Sequence, residues 1–384
     1  MNKSKLLLFV FAGALTFTAC KKKGCTDPDA ENFNSEAEKD DGTCTFAELN
    51  VPSTYAYTND AGNSTVSYSG QTDRLNQLEE MTSYMKSGTG EEISAAVLKD
   101  MFANTDDNGG GNFTFSSSKQ LESKCFESDV DMFKEWMDSL AVASADFATT
   151  ATDGQAGILN SGSSTYLFAA NGIEYTQLIE KGLMGAVFMY QATQVYMGSG
   201  KMNVDNTTAV DAAGGKHYTE MEHHWDEAFG YFGAPVDFLT NTTDIRFWAK
   251  YCNSRNDQLG SNATMMNAFL KGRALISQGF DLTLRDAEIK TLRQTWERIS
   301  AAQAVAYLEG AKENFGTDNG KFLHELSEAY AFILNLKYAP LETRVITFAE
   351  IDDLLENTIG DNFWAVTSAD LTAAINTINS IYGF

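Results

Sequence analysis

The sequence predicts an all-α protein, and three observations lead to that class. Apolar side chains recur three and four residues apart, beginning with Leu75, Leu78 and Met81, which is the spacing of one helix face. The breaks between such runs are polar and rich in glycine, as in "NTDDNGGGNFTFSSS". Only four prolines occur, and Pro235 and Pro340 each fall just beyond a predicted helix, where proline ends the hydrogen-bond ladder.

Helical periodicity extends along most of the chain after residue 70, whereas residues 45–70 are rich in Thr, Ser, Tyr and Val and predict an extended entry or a short hairpin. Residues 51–384 are enough for one large helical domain or two fused bundles. The predicted helices cover 71–86, 91–103, 118–148, 172–198, 216–232, 243–254, 263–279, 285–315, 320–338, 348–357 and 368–380.

The N-terminus predicts export and a lipid anchor. Lys3 and Lys5 precede an apolar run that is too short to span a bilayer, so residues 1–19 are expected to be a signal peptide. The run ends in "LTFTAC", which resembles the lipobox of bacterial lipoproteins and implies lipidation at Cys20; the alternative is an ordinary secretory signal. We therefore expect an outer-membrane lipoprotein, facing the periplasm or the cell surface, whose only membrane contact is the lipid.

A polar spacer is predicted over residues 20–50. Cys25 and Cys44 flank one short loop, and an oxidising compartment allows them to pair. The loop is similar to short cysteine-bounded calcium modules of secreted bacterial proteins; the alternative is a spacer closed by the disulfide alone. Its candidate calcium ligands, all hard oxygen donors, are Asp27, Asp29, Asn32, Asn34, Asp40 and Asp41.

Charge and the remaining cysteines limit the function classes. A formal net charge of −24 argues against a nucleic-acid partner, because phosphate binding requires a basic surface. Cys125 and Cys252 lie in helix-like surroundings, and the sequence leaves open whether they pair or stay as buried thiols.

The segment "KHYTEMEHHWDE", residues 216–227, holds three of the four histidines. On one continuous helix with His217 at zero, Glu220, His224 and Glu227 fall at about 300°, 340° and 280°, so four ligand-type side chains share one stripe. His223 flanks the stripe, Trp225 and Asp226 point elsewhere, and Glu222 is expected to be a solvated surface charge.

His–Glu pairs one turn apart predict a metal site, since imidazole and carboxylate both coordinate iron or zinc in helical bundles. A second helix offers His324, Glu325 and Glu328, with His324 and Glu328 on one face. The alternative is that these pairs satisfy one another as buried hydrogen bonds. "HELSE" at 324–328 lacks the second histidine of the H-E-x-x-H zinc-protease motif.

"GKHYTE", residues 215–220, matches G-x-H-x-x-E and resembles the motif of imelysin-like proteins. "MEHHWDEAFGYFGAPVDF", "STVSYSGQTDRLNQLEEM" and "NGIEYTQLIEKGLMGA" look like a branch of lipoproteins related to imelysin, over residues 51–384. The resemblance implies a helical domain of two bundle-like halves and a role in iron handling, with some relatives described as peptidases.

Carried onto this chain, the motif residues are His217 and Glu220, or, one register later, His224 and Glu227, where Glu222 replaces the glycine. Glu174, Gln177 and Glu180 are polar residues in an otherwise apolar predicted helix. Either they line the same cleft as the histidine stripe, or they cap the helix and face the surface.

Three functions follow as expectations. The favoured one is a lipid-anchored protein that binds a metal ion or an iron-bearing ligand between its two halves. The second is a metal-dependent, peptidase-like hydrolase in which a glutamate is the general base. The third is a structural or interaction lipoprotein with no ligand.

Overall fold

The computed structural model describes residues 21–28, 30–45 and 47–384. The signal peptide predicted at 1–19, the lipidation predicted at Cys20 and the candidate ligand Asp29 lie outside the described residues. The chain divides into two compact units, one that ends at Asn50 and one that covers Val51–Phe384.

The N-terminal unit is a small disulfide-closed loop. Its strands β1 (Lys23–Gly24) and β2 (Lys39–Asp40) pair in parallel. Cys25 and Cys44 form the predicted disulfide, with Cα atoms 4.8 Å apart, so that prediction is confirmed.

The larger unit is built mainly of helices, as predicted, and two antiparallel hairpins interrupt them. Strands β3 (Gly157–Ser161) and β4 (Ser164–Phe168) form the first hairpin, and β5 (Ala209–Asp211) and β6 (Lys216–Thr219) form the second. Among the described residues, the α-helices are α1 (Ser69–Ser87), α2 (Ala95–Ala103), α3 (Val130–Ser144), α4 (Tyr175–Leu183), α5 (Ser199–Met202), α6 (Glu220–Phe232), α7 (Phe247–Ser254), α8 (Asn256–Leu259), α9 (Ser261–Ser277), α10 (Leu282–Asn314), α11 (Asn319–Asn335), α12 (Phe348–Asp352) and α13 (Ser368–Tyr382).

The prediction of a helix over 216–232 needs a correction at its N-terminus, because α6 begins at Glu220. Thr219 caps the helix: its side chain accepts a hydrogen bond from the Glu222 amide, and the Glu222 carboxylate accepts one from the Thr219 amide. This capping box fixes the first turn. His217 consequently lies on β6, upstream of the cap, and does not share the helical stripe that the sequence predicted.

The helix that begins with α4 extends well beyond Leu183. The helix α4 continues through π-helical turns at Met184–Met189 and Gln191–Tyr196, and such turns are rare in proteins and frequent at functional sites. It packs closely on α11, since a Cβ atom added at Gly185 would lie 1.9 Å from Asn335 Oδ1. Glycine at this position therefore lets the two helices approach.

The core of the unit is aromatic and closely packed around α10. Trp225 on α6, Trp248 on α7 and Trp296 on α10 are fully buried, and the rings of Trp248 and Trp296 meet edge to face with centroids 5.9 Å apart. Pairs of this kind stabilise a core beyond the area they bury. The core thereby holds α6, which carries two of the histidines, in a fixed position.

Cys125 and Cys252 are both buried free thiols, which answers the question that the sequence left open. Burial raises the pKa of the Cys252 thiol to about 12, so this side chain stays protonated and unreactive at neutral pH. No helix in the described part of the chain is long and apolar enough to cross a membrane.

Candidate functional site

His224 and Glu227 form the centre of the candidate site on α6. His224 is only 6% exposed, and its Nδ1 lies 3.0 Å from Glu227 Oε2. Because an ionised carboxylate can only accept, Nδ1 carries the proton of this bond. The other ring nitrogen, Nε2, is buried without a hydrogen-bond partner in the described residues, and Glu220 Oε1 is 3.9 Å from it.

His223 presents a second imidazole to the same carboxylate. Its Nδ1 lies 2.9 Å from the Ser67 carbonyl oxygen, so Nδ1 donates a hydrogen bond to that oxygen. Nε2 is 3.9 Å from Glu227 Oε1. The ring stacks on Tyr218 with centroids 4.7 Å apart, which fixes its orientation.

Glu227 stays ionised between these groups. Burial favours its neutral form, but the hydrogen bond from His224, the charge of His223 and a hydrogen bond from Gln71 outweigh burial and lower the pKa of the carboxyl. Gln71 Nε2 donates to Oε1 at 3.1 Å. Both carboxylate oxygens are therefore engaged, and Glu227 orients His224.

The other members of the predicted stripe are placed less centrally. Glu220 lies in the first turn of α6 with a side chain that is 55% exposed. The side chain of His217, on β6, makes no hydrogen bond or ion pair within residues 21–28, 30–45 and 47–384. The helical-face arithmetic therefore holds for Glu220, His224 and Glu227, which share α6.

His324 belongs to a second polar cluster on α11. Its Nδ1 lies 2.6 Å from Glu174 Oε2, and its Nε2 lies 3.4 Å from Glu328 Oε2. The imidazole stacks on Tyr166, with centroids 4.2 Å apart. Gln177 Nε2 donates to Glu174 Oε1 at 3.1 Å, so Glu174 and Gln177 support His324.

Lys181 provides the positive charge of this second cluster. Its Nζ lies 2.9 Å from Glu180 and 3.6 Å from Glu328. Burial alone would lower the pKa of the lysine, but these two carboxylates outweigh burial and raise it. Burial raises the pKa of Glu328, although Lys181 and His324 oppose that rise. Glu174, Gln177 and Glu180 thus form an internal network, away from the stripe on α6.

The two clusters lie at opposite ends of the helix that begins with α4. His324 contacts Glu174, immediately before the helix, whereas the ring centroid of His224 is 5.9 Å from that of Tyr196, at its end. At 1.5 Å per residue, the stretch of helix between Glu174 and Tyr196 is roughly 30 Å long. His324 and Glu328 are therefore too far from His224 to complete a ligand set with it. In the described residues no group of three or more His, Cys, Asp or Glu side chains is arranged to hold a metal ion.

Arg273 is the principal residue near α6 that the sequence analysis missed. Its Nη1 donates to Glu222 Oε1 at 2.6 Å, and its Nε donates to Asp226 Oδ1 at 2.8 Å. Glu222 is buried, so its expected role as a solvated charge is wrong. The signals were available: Thr219 and Glu222 have capping-box spacing, and Arg273 interrupts the apolar run of α9.

The candidate calcium loop is held by its own side chains. Asn34, Asp40 and Asp41 each accept a hydrogen bond from the amide two residues further on, at 3.0 Å, and Asn32 Oδ1 accepts from the Thr45 amide at 2.9 Å. These contacts position four of the six predicted oxygen donors, and calcium binding at this loop stays a prediction.

The comparison with known protein families gives a class for the larger unit. The family profile described as "Domain of unknown function (DUF4856)" matches residues 52–384. The chain belongs to this family. No curated protein matches the sequence, and no solved structure matches it either. The family match gives no link to imelysin-like proteins, and that relation stays a prediction.

Proposed function

We propose that this chain is an exported, lipid-anchored protein that binds a metal ion or an iron-bearing ligand at the face of α6 that carries His224. The observation that carries the proposal is the hydrogen bonding of the two ring nitrogens of His224. Glu227 orients the ring through Nδ1 at 3.0 Å, and the opposite nitrogen is buried without a partner in the described residues. Metal-binding histidines are commonly held by a carboxylate on the nitrogen that does not bind the metal.

Burial of an unpaired polar nitrogen costs free energy, on the order of 1–3 kcal/mol. A bound group that accepts the Nε2 lone pair would remove that cost. Glu220 Oε1, at 3.9 Å from Nε2, is the nearest acidic partner, and its exposed side chain is able to rotate toward a ligand. His224 and Glu220 are the residues that we propose to contact the bound group.

The number of donors supports an iron-bearing ligand over a bare ion. Structural metal ions take four or more donors, and fewer than three protein donors converge among the described residues. A metal that arrives with donors of its own would need only one or two from the protein. Both oxygens of Glu227 accept hydrogen bonds, so we assign it a positioning role.

The rest of the proposal concerns location and ancestry. Lipidation at Cys20, a position on the outer membrane and a role in iron uptake belong to it, as does descent from imelysin-like proteins with two bundle-like halves. "LTFTAC" supports the lipid anchor, and "GKHYTE" supports the imelysin relation.

The test is metal content and affinity in a Cys20→Ser variant, which is made without the lipid. Bound metal is measured by mass spectrometry after incubation with ferric citrate or Zn²⁺ and removal of excess. We expect His224→Gln to weaken binding at least ten-fold and Glu227→Gln to weaken it by about ten-fold, the usual effect of losing a carboxylate that orients a ligand.

His324→Gln is the matched control, because His324 is also a histidine bound to a carboxylate but belongs to the other cluster. It should bind metal like the parent protein. Unchanged binding in His224→Gln, with a thermal midpoint like that of the parent, would refute the proposal. Loss of binding in His324→Gln alone would also refute it, since the site would then lie on α11.

A further inference from the structure

We propose that a cavity beside α6 binds the oxyanion group, carboxylate or phosphate, of a small molecule. The cavity has a volume of about 280 Å³ and lies between α1, the segment before α3, and α6. Arg74, Lys119 and Lys124 line it together with His223 and Glu227. The proposal goes beyond the metal site, because it requires no metal.

Three cationic side chains line this cavity together with one carboxylate, Glu227. In the described part of the chain, Arg74, Lys119 and Lys124 form no ion pair, although several other cationic side chains do. The chain as a whole has a formal net charge of −24, so carboxylates are abundant. A cavity that gathers cations and leaves them unpaired has the charge of an anion site.

Arg74 is held in place before any ligand arrives. It is 6% exposed, and its guanidinium donates from Nε to the Gln120 carbonyl at 2.9 Å and from Nη1 to the Gly70 carbonyl at 3.1 Å. A fixed guanidinium loses little side-chain entropy on binding and suits the planar geometry of carboxylate and phosphate.

The two lysines complete the positive wall. Lys124 is half-buried, with Nζ 5.7 Å from the centre of the Tyr196 ring, and burial together with the charges of Arg74, Lys201 and Lys119 lowers its pKa. Lys119 lies along Gly70, where an added Cβ would be 3.0 Å from the lysine Cε. A bound anion would relieve the mutual repulsion of these groups.

The N-terminus of α1 adds hydrogen-bond donors to the same wall. Ser69 and Gly70 line the cavity, and the amide groups of both lack an acceptor within the described residues. The first turn of α1 contains no acidic residue, and the residue before it, Tyr68, provides no side-chain cap. The partial positive charge of a helix N-terminus therefore points to the same ligand as the three cations.

The charge balance indicates the class of ligand. Glu227 is the one carboxylate that lines the cavity among the described residues, and His224 and Gln71 already occupy its oxygens. Three cations and one carboxylate leave a surplus of two positive charges. A dianionic group, such as hydrogen phosphate or a pair of carboxylates on one small molecule, would neutralise it.

The test is isothermal titration of the metal-free Cys20→Ser protein with citrate and with inorganic phosphate, against a sodium chloride reference of equal ionic strength. Metal is removed on a chelating resin, because soluble chelators are themselves polycarboxylates. We expect both anions to bind, and we expect Lys124→Met and Lys119→Met each to weaken binding roughly ten-fold, the effect of losing one charge-assisted hydrogen bond.

Lys312→Met is the control, since Lys312 is an exposed lysine of α10 and its loss changes the net charge equally. Equal weakening in Lys312→Met, or no binding of either anion above the chloride reference, would overturn the proposal. Vesicles that contain phosphatidylglycerol form the last arm: binding to vesicles alone, abolished in Lys124→Met, would overturn the small-molecule assignment in favour of a lipid headgroup. His224→Gln should retain anion binding, which separates this test from that of the metal site.

Discussion

Arg273 and Asp226 form a fully buried ion pair between α9 and α6, in which Arg273 Nε donates to Asp226 Oδ1 at 2.8 Å. The Tyr55 hydroxyl and the Ser67 amide also donate to Asp226, at 2.8 and 3.0 Å. Arg273 Nη2 donates to the Thr65 carbonyl at 2.8 Å. The pair thus fastens the extended segment before α1 to both helices.

We expect Arg273→Met to lower the free energy of unfolding by about 3–5 kcal/mol, because it leaves a buried carboxylate without its counter-charge. Burial already raises the pKa of Asp226, and Arg273 opposes that rise. Urea unfolding followed by circular dichroism measures the loss. The double variant with Asp226→Leu should recover part of the loss, since one of the two buried carboxylates that Arg273 neutralises is then removed, while Glu222 still lacks its partner. A single-variant loss below about 1 kcal/mol would contradict the assignment.

Thr219→Ala should lower the free energy of unfolding by about 1 kcal/mol, the usual contribution of an N-cap side chain. Thr219 Oγ1 accepts from the Glu222 amide at 3.2 Å, so the variant leaves the first turn of α6 without its cap. Denaturant midpoints at constant slope measure the change. Thr264→Ala is the control, because the Thr264 hydroxyl donates only to the Gly260 carbonyl, just before α9; it should change stability by less than about 0.5 kcal/mol.

The sequence was sufficient for features that depend on local periodicity. The apolar pattern over residues 285–315 predicted α10, which is observed as Leu282–Asn314. The prediction succeeded because the 3.6-residue period of an apolar helix face depends only on residues close together in the sequence. The contact between His224 and Glu227 followed for the same reason, since residues three apart on a helix are neighbours. His217 was misplaced because Gly214 and Gly215 form part of the turn between β5 and β6, and Thr219 caps α6; both are local signals that outweigh the histidine pattern.

Features that depend on packing could not be read from the sequence. The partner of Asp226 is Arg273, on another helix, and helical periodicity gives the face of a residue without its neighbour across the core. His224 and His324 each have a glutamate about one helical turn further along, three and four residues away, and still lie next to opposite ends of the helix that begins with α4. Similar local patterns predicted one site, and the tertiary arrangement produced two clusters.

Gly185→Ala should lower the free energy of unfolding by about 3 kcal/mol, at the upper end of the usual cost of overpacking. The added Cβ would meet Asn335 Oδ1 at 1.9 Å, and Asn335 is itself fixed by donating to the Lys181 carbonyl at 3.0 Å. The helices must then separate or the asparagine must lose its bond. Gly200→Ala, with no atom within 4 Å of the added Cβ, is the control in the same thermal and urea measurements and should be near neutral.

The stability of the protein should fall as the pH rises past the pKa of His324. Burial alone would lower this pKa, but the hydrogen bond and charge of Glu174, with the charge of Glu328, raise it above 6.5. A histidine whose pKa is higher in the folded chain stabilises the fold fully below the unfolded value near 6.5, and this contribution is lost as the pH rises through the folded value.

A ten-fold difference between the proton affinities of the folded and unfolded chains corresponds to about 1.4 kcal/mol of stability. The charges of Glu328 and His324 interact, so the slope belongs to the pair. Urea unfolding from about pH 6 to about pH 8 should show a decline in the parent protein and in His217→Gln, and a flatter profile in His324→Gln. Parallel profiles in all three proteins would show that the contact between His324 and Glu174 has no such linkage.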